Sequence, residues 1–230
     1  QDILHRLAQQ GELVADEPML LVPRVHRDLT TTRIMAMDFV EAAPLDIVAT
    51  MPQRRRNAVG ALFERLLFRE LFEFRVMQTD PNFANYLYLP ATQQLALLDL
   101  GSAGEYPAAL VASYRDACRA MLAGDDTALR EAMFAIGYAH PDDPEAMIRN
   151  AADIIRLACE PLGHHGPYDF AASGLAVRAR DLGLAVAFGK GLRSPPPATI
   201  FLHRKLIGTF LICVKLRARV NVHAIIEKFL

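Results

Sequence analysis

Apolar residues recur at helical spacing between Pro52 and Met77, which predicts one long amphipathic helix. Charged residues occupy the positions between them, so one face suits a protein core and the other suits water. The apolar positions are Val59, Leu62, Phe63, Leu66, Leu67, Leu71, Phe72 and Phe74, and the charged ones include Arg65, Arg69, Glu70 and Glu73. This helix leads directly into a polar segment that contains Asp80.

Two short apolar runs follow that segment and predict the strands of a hairpin. They are YLYL (86–89) and LALL (95–98), separated by the turn PATQQ. Each run is too short for a helix, and a polar loop that begins with Pro divides them. Earlier in the chain, VPRVHRDL and RIMAMDFV flank a polar turn at 30–33 and predict a second small hairpin. Residues 1–22 are expected to be helical and then extended.

The pattern after Gly101 is helical. The predicted helices span 106–123, 126–138, 143–160, 171–189 and 196–230, with a break near Asn221. Either Asp125 or Asp126 can cap the second of them. The prolines of SPPPA (194–198) mark a boundary and suit the start of a helix. The chain therefore predicts an α+β fold that is mostly α-helical.

Composition narrows the classes of protein and partner. The chain has 230 residues and 52% hydrophobic content, enough for a sizeable core. With 26 acidic and 25 basic residues the formal net charge is −1, so no whole-protein field recruits nucleic acid or anionic lipid. The cysteines, Cys118, Cys159 and Cys213, lie far apart in sequence, which favours reduced thiols in a reducing compartment.

The start of the chain and its longest apolar stretch indicate whether it is a fragment and whether it spans a membrane. The chain begins at Gln1 with no initiator Met and no basic-then-apolar leader, which suggests a fragment or a processed product. The longest apolar stretch, LIGTFLICV (206–214), is about half of the ~20 residues that a bilayer span requires. We therefore expect no transmembrane helix in this chain.

Three small oxygen-bearing side chains lie at the ends of the predicted hairpin 86–98. Asn85 follows Asp80 by five positions, and Asp99 follows Asn85 by 14 and begins Asp-Leu-Gly. In protein-kinase-like sites an Asp-x-x-x-x-Asn loop precedes a strand pair and an Asp-x-Gly turn. Phosphoryl transfer needs oxygen ligands for Mg²⁺ and a carboxylate that faces the incoming group. Asn85 and Asp99 suit the metal, and Gly101 permits a sharp turn after it.

Each of these residues also has a purely structural interpretation. Asp-Pro-Asn is a common turn sequence, Asn85 can cap a strand, and Asp-Leu-Gly occurs by chance in many proteins. The order of all three across a hairpin of suitable length, after a long amphipathic helix, favours a functional site.

The segment FRELFEFRVMQTDPNFANYLYLPATQQLALLDLGSAGEY resembles the core of the UbiB/AarF (ABC1-type) atypical kinase-like family. The resemblance is to the ubiquinone-associated branch, whose motif reads roughly Glu-Leu-Phe, Met-Gln-Thr-Asp-Pro-Asn and Ala-Leu-Leu-Asp-x-Gly. Two further segments agree with it: VPRVHRDLTTTRIMAMDFVEAAPL (22–45) resembles the strand pair and hinge, and LHRKLIGTFLICVKLRA (202–218) resembles the terminal helix. The match runs from about residue 20 to 220.

The resemblance implies a role for each matching position. Asp80 would hold the catalytic-loop place, as a base or as an organiser of the phosphates, and Asn85 and Asp99 would bind Mg²⁺. The implied cofactors are ATP or ADP with Mg²⁺. The hinge would consist of Met37, Asp38, Phe39 and Val40, where the backbone of Asp38 and Val40 would hydrogen-bond adenine. An ordinary buried strand is the alternative for that hinge.

Departures from protein kinases argue against a peptide substrate. Position 82 is Asn, where protein kinases carry a Lys that contacts the transferred phosphate, and Leu100 replaces the usual Phe. Only four residues separate Gly101 from Tyr106 before a helix that begins with Pro. That spacing leaves no room for the long activation segment that docks a peptide.

The lysines indicate how much of a kinase-like fold is present. All four lie late in the chain, at Lys190, Lys205, Lys215 and Lys228, so none can be the N-lobe strand lysine that pairs with the nucleotide phosphates. The family's Lys-x-Gly-Gln segment is also absent. We therefore expect a protein-kinase-like C-lobe with a catalytic β-hairpin and remnant N-lobe strands. Residues 1–45 would be the N-lobe remnant with the hinge, and residues 46–230 the mainly helical C-lobe.

The resemblance implies an atypical kinase-like ATPase that supports ubiquinone (coenzyme Q) biosynthesis. Its partners would be a nucleotide and an isoprenoid lipid or ubiquinone-biosynthesis proteins, with no nucleic acid. It would act in the cytoplasm or mitochondrial matrix, peripherally at the inner membrane. One alternative is a non-catalytic pseudokinase lobe that binds lipid or a biosynthetic partner. The other is a small-molecule phosphotransferase, and that class lacks the LHRK helix.

Overall fold

Helices dominate the computed structural model, which describes residues 16–98, 103–188 and 193–230. The α-helices are α1 (Gln53–Phe68), α2 (Ala108–Ala123), α3 (Asp126–Ile136), α4 (Glu145–Ala158), α5 (Glu160–Gly163), α6 (Leu175–Phe188), α7 (Pro197–Lys215) and α8 (Val222–Ile226). Short 3₁₀ helices span Leu45–Thr50, Phe83–Asn85 and Glu227–Phe229. The strands are β1 (Leu20–Leu21), β2 (Ala43–Pro44), β3 (Val76–Gln78), β4 (Tyr86–Leu89), β5 (Gln94–Leu97), β6 (Ala103–Glu105), β7 (Tyr168–Asp169) and β8 (Arg219–Val220). The predicted α+β, mostly helical fold is confirmed.

Helix α1 forms where the apolar spacing predicts it. It begins after Pro52, and Val59, Leu62 and Phe63 on its inner face are buried. At Arg69 the backbone changes to a π-helix, Arg69–Phe74, which ends at Arg75 in the left-handed region with φ 57°. The predicted long helix is therefore present, but its last part has π geometry. Segments of π-helix occur frequently at functional sites.

The predicted hairpin 86–98 is present as β4 and β5, which pair antiparallel from Tyr86 opposite Leu97 to Leu89 opposite Gln94. The second strand starts one residue earlier than predicted because Gln93 takes the left-handed turn position with φ 61°. Strand β1 pairs parallel with β5, and β2 pairs antiparallel with β4. The sheet order is thus β1-β5-β4-β2.

Residues 20–44 are joined to that sheet at both ends, because β1 and β2 pair with its two central strands. The division into domains at residue 45 stays a prediction. The predicted hairpin within 22–45 is reduced to an isolated bridge between Val25 and Met37. Hydrogen bonds from the backbone N–H of His26 to Ala36 and of Asp38 to Arg24 lie on either side of it. The prediction of a helix within residues 1–15 lies outside the described residues.

The later helices follow the predicted order, and α7 and α8 pack against α1. Asp125, rather than Asp126, caps α3 by accepting hydrogen bonds from the backbone N–H groups of Thr127 and Ala128 at 3.0 Å. The predicted break near Asn221 is present, since α7 ends at Lys215 and α8 begins at Val222. The three cysteine thiols are free, as expected.

The last part of the chain returns to α1 at a position that only glycine fits. A β-carbon on Gly60 would lie 2.6 Å from the Ala218 side chain, a distance that real β-carbons do not show. The main core includes Leu62, Met77, Leu202 and Leu216, all fully buried. Helix α7 and strand β8, which follows it, both pack against α1.

Candidate functional site

The loop between β3 and β4, residues 79–85, carries two of the predicted site residues and is called here the 79–85 loop. Its second half is a single 3₁₀ turn that the Asn82 side chain caps, accepting from the backbone N–H of Ala84 at 3.1 Å. The backbone N–H of Asn85 donates to the Asn82 carbonyl at 3.0 Å. Asp-Pro-Asn thus performs the turn role expected of it, and the same turn brings Asn85 back towards Asp80.

Asp80 and Asn85 are in direct contact. The Asn85 side-chain amide nitrogen donates to the Asp80 carboxylate oxygen Oδ2 at 3.2 Å and to the Asp80 backbone carbonyl at 3.1 Å. The Asp80 side chain is 24% exposed, so its carboxylate is still accessible from solvent. Since both bonds use the amide nitrogen of Asn85, they leave its oxygen, the atom that prefers a hard cation such as Mg²⁺, outside this contact.

Asp99, the second predicted metal ligand, lies outside the described residues. The described residues on either side of it contact the 79–85 loop or the strand before it. The backbone N–H of Leu98 donates to the Asn85 carbonyl at 2.9 Å, and Ala103 of β6 pairs with Gln78 of β3. Elsewhere in the described parts of the chain, no three His, Cys, Asp or Glu side chains form a candidate metal site.

Helix α7 contacts the 79–85 loop from the C-terminal part of the chain. The Arg204 guanidinium forms an ion pair with the Asp80 carboxylate oxygen Oδ1. One helical turn later, a β-carbon on Gly208 would lie 2.1 Å from Pro81 Cγ, so glycine is required where the two backbones approach. Asp80 is therefore held between Asn85 on its own loop and Arg204 on α7.

A buried ion pair lies beneath the loop. Lys205 Nζ is 2.9 Å from Glu70 Oε2, and the two side chains are 5% and 8% exposed. Burial lowers the pKa of Lys205, but the Glu70 carboxylate and the Tyr86 hydroxyl together outweigh burial, so the pKa lies above its ordinary value. Burial raises the pKa of Glu70, and the nearby Lys205 ammonium only partly opposes that shift. Lys205 therefore stays charged inside the fold.

An apolar groove of about 670 Å³ opens beside Asp80, between the 79–85 loop and α7. Apolar side chains form most of its walls, among them Pro81, Phe83, Ile200, Ile207 and Leu211. Polar groups at its lining include Asp80, His203 and Arg204. Ile207 is 60% exposed and Leu211 is 49% exposed, so the groove presents apolar surface to solvent next to the polar site.

The predicted hinge residues lie at the bridge between residues 25 and 37. The backbone N–H of Asp38 donates to the Arg24 carbonyl at 2.9 Å, and its carboxylate contacts His26 at 2.7 Å. Phe39 is 92% exposed. The alternative of an ordinary buried strand is therefore wrong for Phe39, and the Asp38 amide is already engaged within the bridge.

Comparison with known proteins identifies the family. The ABC1 atypical kinase-like domain matches residues 6–133, more than half of the chain. The chain belongs to the ABC1 atypical kinase-like family. The resemblance seen in the MQTDPN segment is thereby confirmed.

Two curated relatives show how much of a longer protein this chain represents. It is 36% identical over 213 residues to the mitochondrial atypical kinase COQ8B of Rattus norvegicus, covering 91% of this chain and 39% of the relative. It is 31% identical over 207 residues to COQ8B of Danio rerio, covering 90% of this chain and 33% of that protein. The chain thus spans about a third to two-fifths of these relatives.

A solved structure supports the same fold. Rv3197 of Mycobacterium tuberculosis, determined in complex with erythromycin, superposes with a TM-score of 0.73 at 16% identity. The match covers 98% of this chain and 56% of Rv3197. The chain therefore shares the fold of about half of Rv3197 over nearly its whole length.

Sequence reasoning about this ABC1 domain missed the site residues that α7 supplies. Arg204, Lys205 and Gly208 belong to the LHRKLIG segment, which the resemblance marked only as a terminal helix. A signal was available, since Lys205 is followed by LIGTFLICV, an apolar stretch that contains glycine three positions after the lysine. Burying a lysine costs free energy unless an anion accompanies it, so such a position indicates a buried acidic partner.

Helix α7 also bears on the prediction that no transmembrane helix is present. Among the described residues, α7 has the length and composition of a membrane span. It has 19 residues, its most apolar 18-residue stretch has a mean hydropathy of 1.3, and a third of that stretch is buried. Core helices meet the same criteria, and α7 carries the buried Lys205 and packs on α1. The prediction of no transmembrane helix stays a prediction.

Proposed function

We propose that this chain is the C-terminal catalytic lobe, with the hinge and a remnant of the N-lobe, of an atypical kinase-like ATPase that supports ubiquinone biosynthesis. The observation that carries the proposal is the contact between Asn85 and both the carboxylate and the carbonyl of Asp80. It brings together the two side chains that the family motif assigns to phosphoryl chemistry. Membership of the ABC1 family and the mitochondrial COQ8 relatives support the biological role.

In this proposal each site residue has a separate task. Asp80 directs its carboxylate at the terminal phosphate or the incoming nucleophile, and Arg204 beside it restrains that carboxylate. Asn85, through its side-chain oxygen, and Asp99 would hold Mg²⁺, which supplies positive charge to the phosphate oxygens when bound. The contacts of Leu98 with Asn85 and of Ala103 with Gln78 support including Asp99, because they lie just before and after its segment.

Adenine would bind at the hinge, Met37 to Val40. Because the Asp38 amide already donates to Arg24, the hinge contacts left for adenine are the Asp38 carbonyl and the backbone of Val40. In this proposal residues 1–45 form the N-lobe remnant with the hinge, and residues 46–230 form the C-lobe. We place the protein in the mitochondrial matrix, peripherally at the inner membrane, rather than in the cytoplasm; the mitochondrial relatives support the mitochondrial part of this location.

Binding of ADP to the full-length protein, measured by calorimetry with and without Mg²⁺, tests the site. Asp99→Asn and Asn85→Ala are expected to weaken Mg²⁺-dependent ADP binding, and Asp80→Asn to reduce ATP turnover with a smaller effect on binding. Asp142→Asn is the matched control, since its side chain is 90% exposed in a turn between α3 and α4 and its ion pair is with His140. An ADP affinity that Mg²⁺ does not change, in the unaltered protein, would contradict the proposal.

The groove beside Asp80 favours a second candidate function, a lobe that binds an isoprenoid lipid without turnover. Its walls are apolar, and Ile200, Ile207 and Leu211 expose large apolar surface within it. Binding of a fluorescent isoprenoid to the full-length protein is expected to weaken in Ile207→Glu. Val177→Glu is the matched control, because Val177 is 53% exposed on α6 and lies outside the groove. Isoprenoid binding without any ATP hydrolysis would favour this candidate over the first.

A further inference from the structure

Lys205 is surrounded by three oxygen-bearing side chains deep in the fold. Its ammonium group lies 2.9 Å from Glu70 Oε2 and 3.5 Å from Gln78 Oε1, and it hydrogen-bonds the Tyr86 hydroxyl. Gln78 is fully buried, and Tyr86 is 2% exposed. Lys205 meets Glu70 as an opposite charge, since Glu70 Oε2 lacks hydrogen-bond geometry, and its ammonium group donates to the oxygens of Gln78 and Tyr86.

Lys205 determines which way the Gln78 amide points. Because a lysine can only donate, the Gln78 side-chain oxygen must face it, and the amide NH₂ must point the other way. In that direction it donates to the Asp80 backbone carbonyl at 2.6 Å. The backbone N–H of Gln78 donates in turn to the Glu70 carboxylate. A reversed amide would place a carbonyl-type oxygen against the Asp80 carbonyl, which is repulsive.

The two residues held by Lys205 stand at the two ends of the 79–85 loop. Gln78 is the last residue of β3, and Tyr86 is the first residue of β4. Asp80 and Asn85 lie between them in sequence: Asp80 is two positions after Gln78, and Asn85 directly precedes Tyr86. One ammonium group therefore connects both ends of the segment that carries the candidate catalytic and metal-binding side chains.

The ion pair is a poor choice for stability alone. Removing two charges from water is costly, and well-packed apolar residues of similar volume are often as stabilising as a buried ion pair. A role in specifying the geometry of the loop explains why a charged pair occupies this place. Catalytic groups must be held within about 0.5 Å of their working positions, which requires such support behind them.

We propose that Lys205, together with Glu70 and through Gln78 and Tyr86, is a positioning residue that holds the 79–85 loop in its working conformation. This inference rests on the proposed function for its catalytic consequence. In this inference α7, whose Lys205 is 127 positions from Gln78 in sequence, stabilises the position of the 79–85 loop. Lys205 itself touches no reacting group.

The test uses the full-length protein with two variants. Lys205→Met removes the ammonium group, and Gln78→Glu keeps an oxygen facing Lys205 but removes the amide that donates to Asp80. For each, hydrogen exchange of the amides in residues 79–85 is expected to accelerate by about tenfold or more, and kcat for ATP hydrolysis to fall by about tenfold or more. The Kd for Mg-ADP is expected to change by less than about threefold.

Two further variants separate positioning from stability. Glu70→Met combined with Lys205→Met removes both charges. We expect the free energy of unfolding of this double variant to return towards that of the unaltered protein, while kcat stays low. Leu129→Ala on α3, a buried residue far from the loop in sequence, is the matched destabilised control. It is expected to leave both exchange in 79–85 and kcat unchanged. If Lys205→Met fails to fold, hydrogen exchange and kcat of Gln78→Glu and of the double variant test the positioning role instead.

The outcomes distinguish this inference from the proposed function. Absent turnover in the unaltered protein, or turnover that Asp80→Asn leaves intact, overturns the proposed function. Unchanged exchange in residues 79–85 in both Lys205→Met and Gln78→Glu overturns the positioning role, whether or not the protein hydrolyses ATP. Faster exchange with an unchanged kcat overturns its catalytic consequence.

Discussion

Gly208 of α7 approaches Pro81 of the 79–85 loop so closely that an added β-carbon would lie 2.1 Å from Pro81 Cγ and 2.3 Å from its Cβ. Pro81 directly follows Asp80, so this contact sets how close the C-terminal helix comes to the candidate catalytic carboxylate. Since a proline ring is rigid and part of the backbone, it cannot yield as the end of a flexible side chain would.

We therefore expect Gly208→Ala to destabilise the protein and lower ATP turnover. An alanine in a helix interior normally stabilises by about 1 kcal/mol relative to glycine, but here the clash with Pro81 reverses the sign. Gly163→Ala, where a β-carbon meets nothing within 4 Å, is the matched control. Thermal unfolding and steady-state hydrolysis measure the two effects. A Gly208→Ala protein as stable and active as the control would show that the loop tolerates displacement.

Arg204 and Lys205 are neighbours on α7, yet their removal should have very different effects on stability. Arg204 is 57% exposed and pairs with Asp80 at the surface, so Arg204→Ala should cost below about 1 kcal/mol of unfolding free energy. Lys205→Ala leaves the Glu70 carboxyl buried and unpaired, and we expect a loss of about 3–5 kcal/mol. Urea denaturation of both variants measures the difference. Equal losses would mean that the Lys205–Glu70 pair is accessible to water.

Glu64 of α1 predicts a pH dependence of stability. Burial raises its pKa from 4.5 to about 7, an effect that the Cys213 thiol beside it only partly opposes. Because the folded-state value is the higher one, this group's contribution to stability is fully present below pH 4.5 and is lost as the pH rises through about 7. Glu64→Gln should therefore stabilise the protein by about 3 kcal/mol at high pH and have little effect at low pH.

Thermal unfolding across pH 4.5 to 8.5 measures this, with Glu131→Gln on the exposed face of α3 as the matched control. The control should show no such trend. A Glu64→Gln protein whose advantage is the same at both ends of the range would indicate that Glu64 is not buried.

The cap of α3 gives a prediction at adjacent positions. Asp125→Ala should lower the unfolding free energy by about 1 kcal/mol, because its side chain accepts from two backbone N–H groups at the helix start. Asp126→Ala should cost less, because Asp126 is 78% exposed and makes only an ion pair with Arg156. Chemical denaturation ranks the two variants. The reverse ranking would place the cap one residue later.

Local patterns allowed much of the fold to be predicted. The spacing of Val59, Leu62 and Phe63 predicted α1, because amphipathic periodicity is a property of neighbouring residues. The change to π geometry at Arg69 has no signal in the apolar spacing, which continues through it. The start of β5 at Gln94 depends on the left-handed turn position of Gln93, which the strand pattern did not indicate. The reduction of the predicted hairpin within 22–45 to a bridge between Val25 and Met37 was not predictable from local patterns, and the hinge at Met37 to Val40 stays a prediction.

By itself the sequence determined the family and the order of helices and strands, and it placed Asp80 and Asn85 five positions apart on one short polar loop before the predicted hairpin, because periodicity and spacing are properties of neighbouring residues. Only the tertiary structure decided that Arg204, Lys205 and Gly208 bear on that loop. Arg204 is 124 positions from Asp80, and sequence spacing at that range does not specify which surfaces meet. Their meeting results from packing α7 against α1, where burial of a shared apolar core leaves Lys205 facing Glu70.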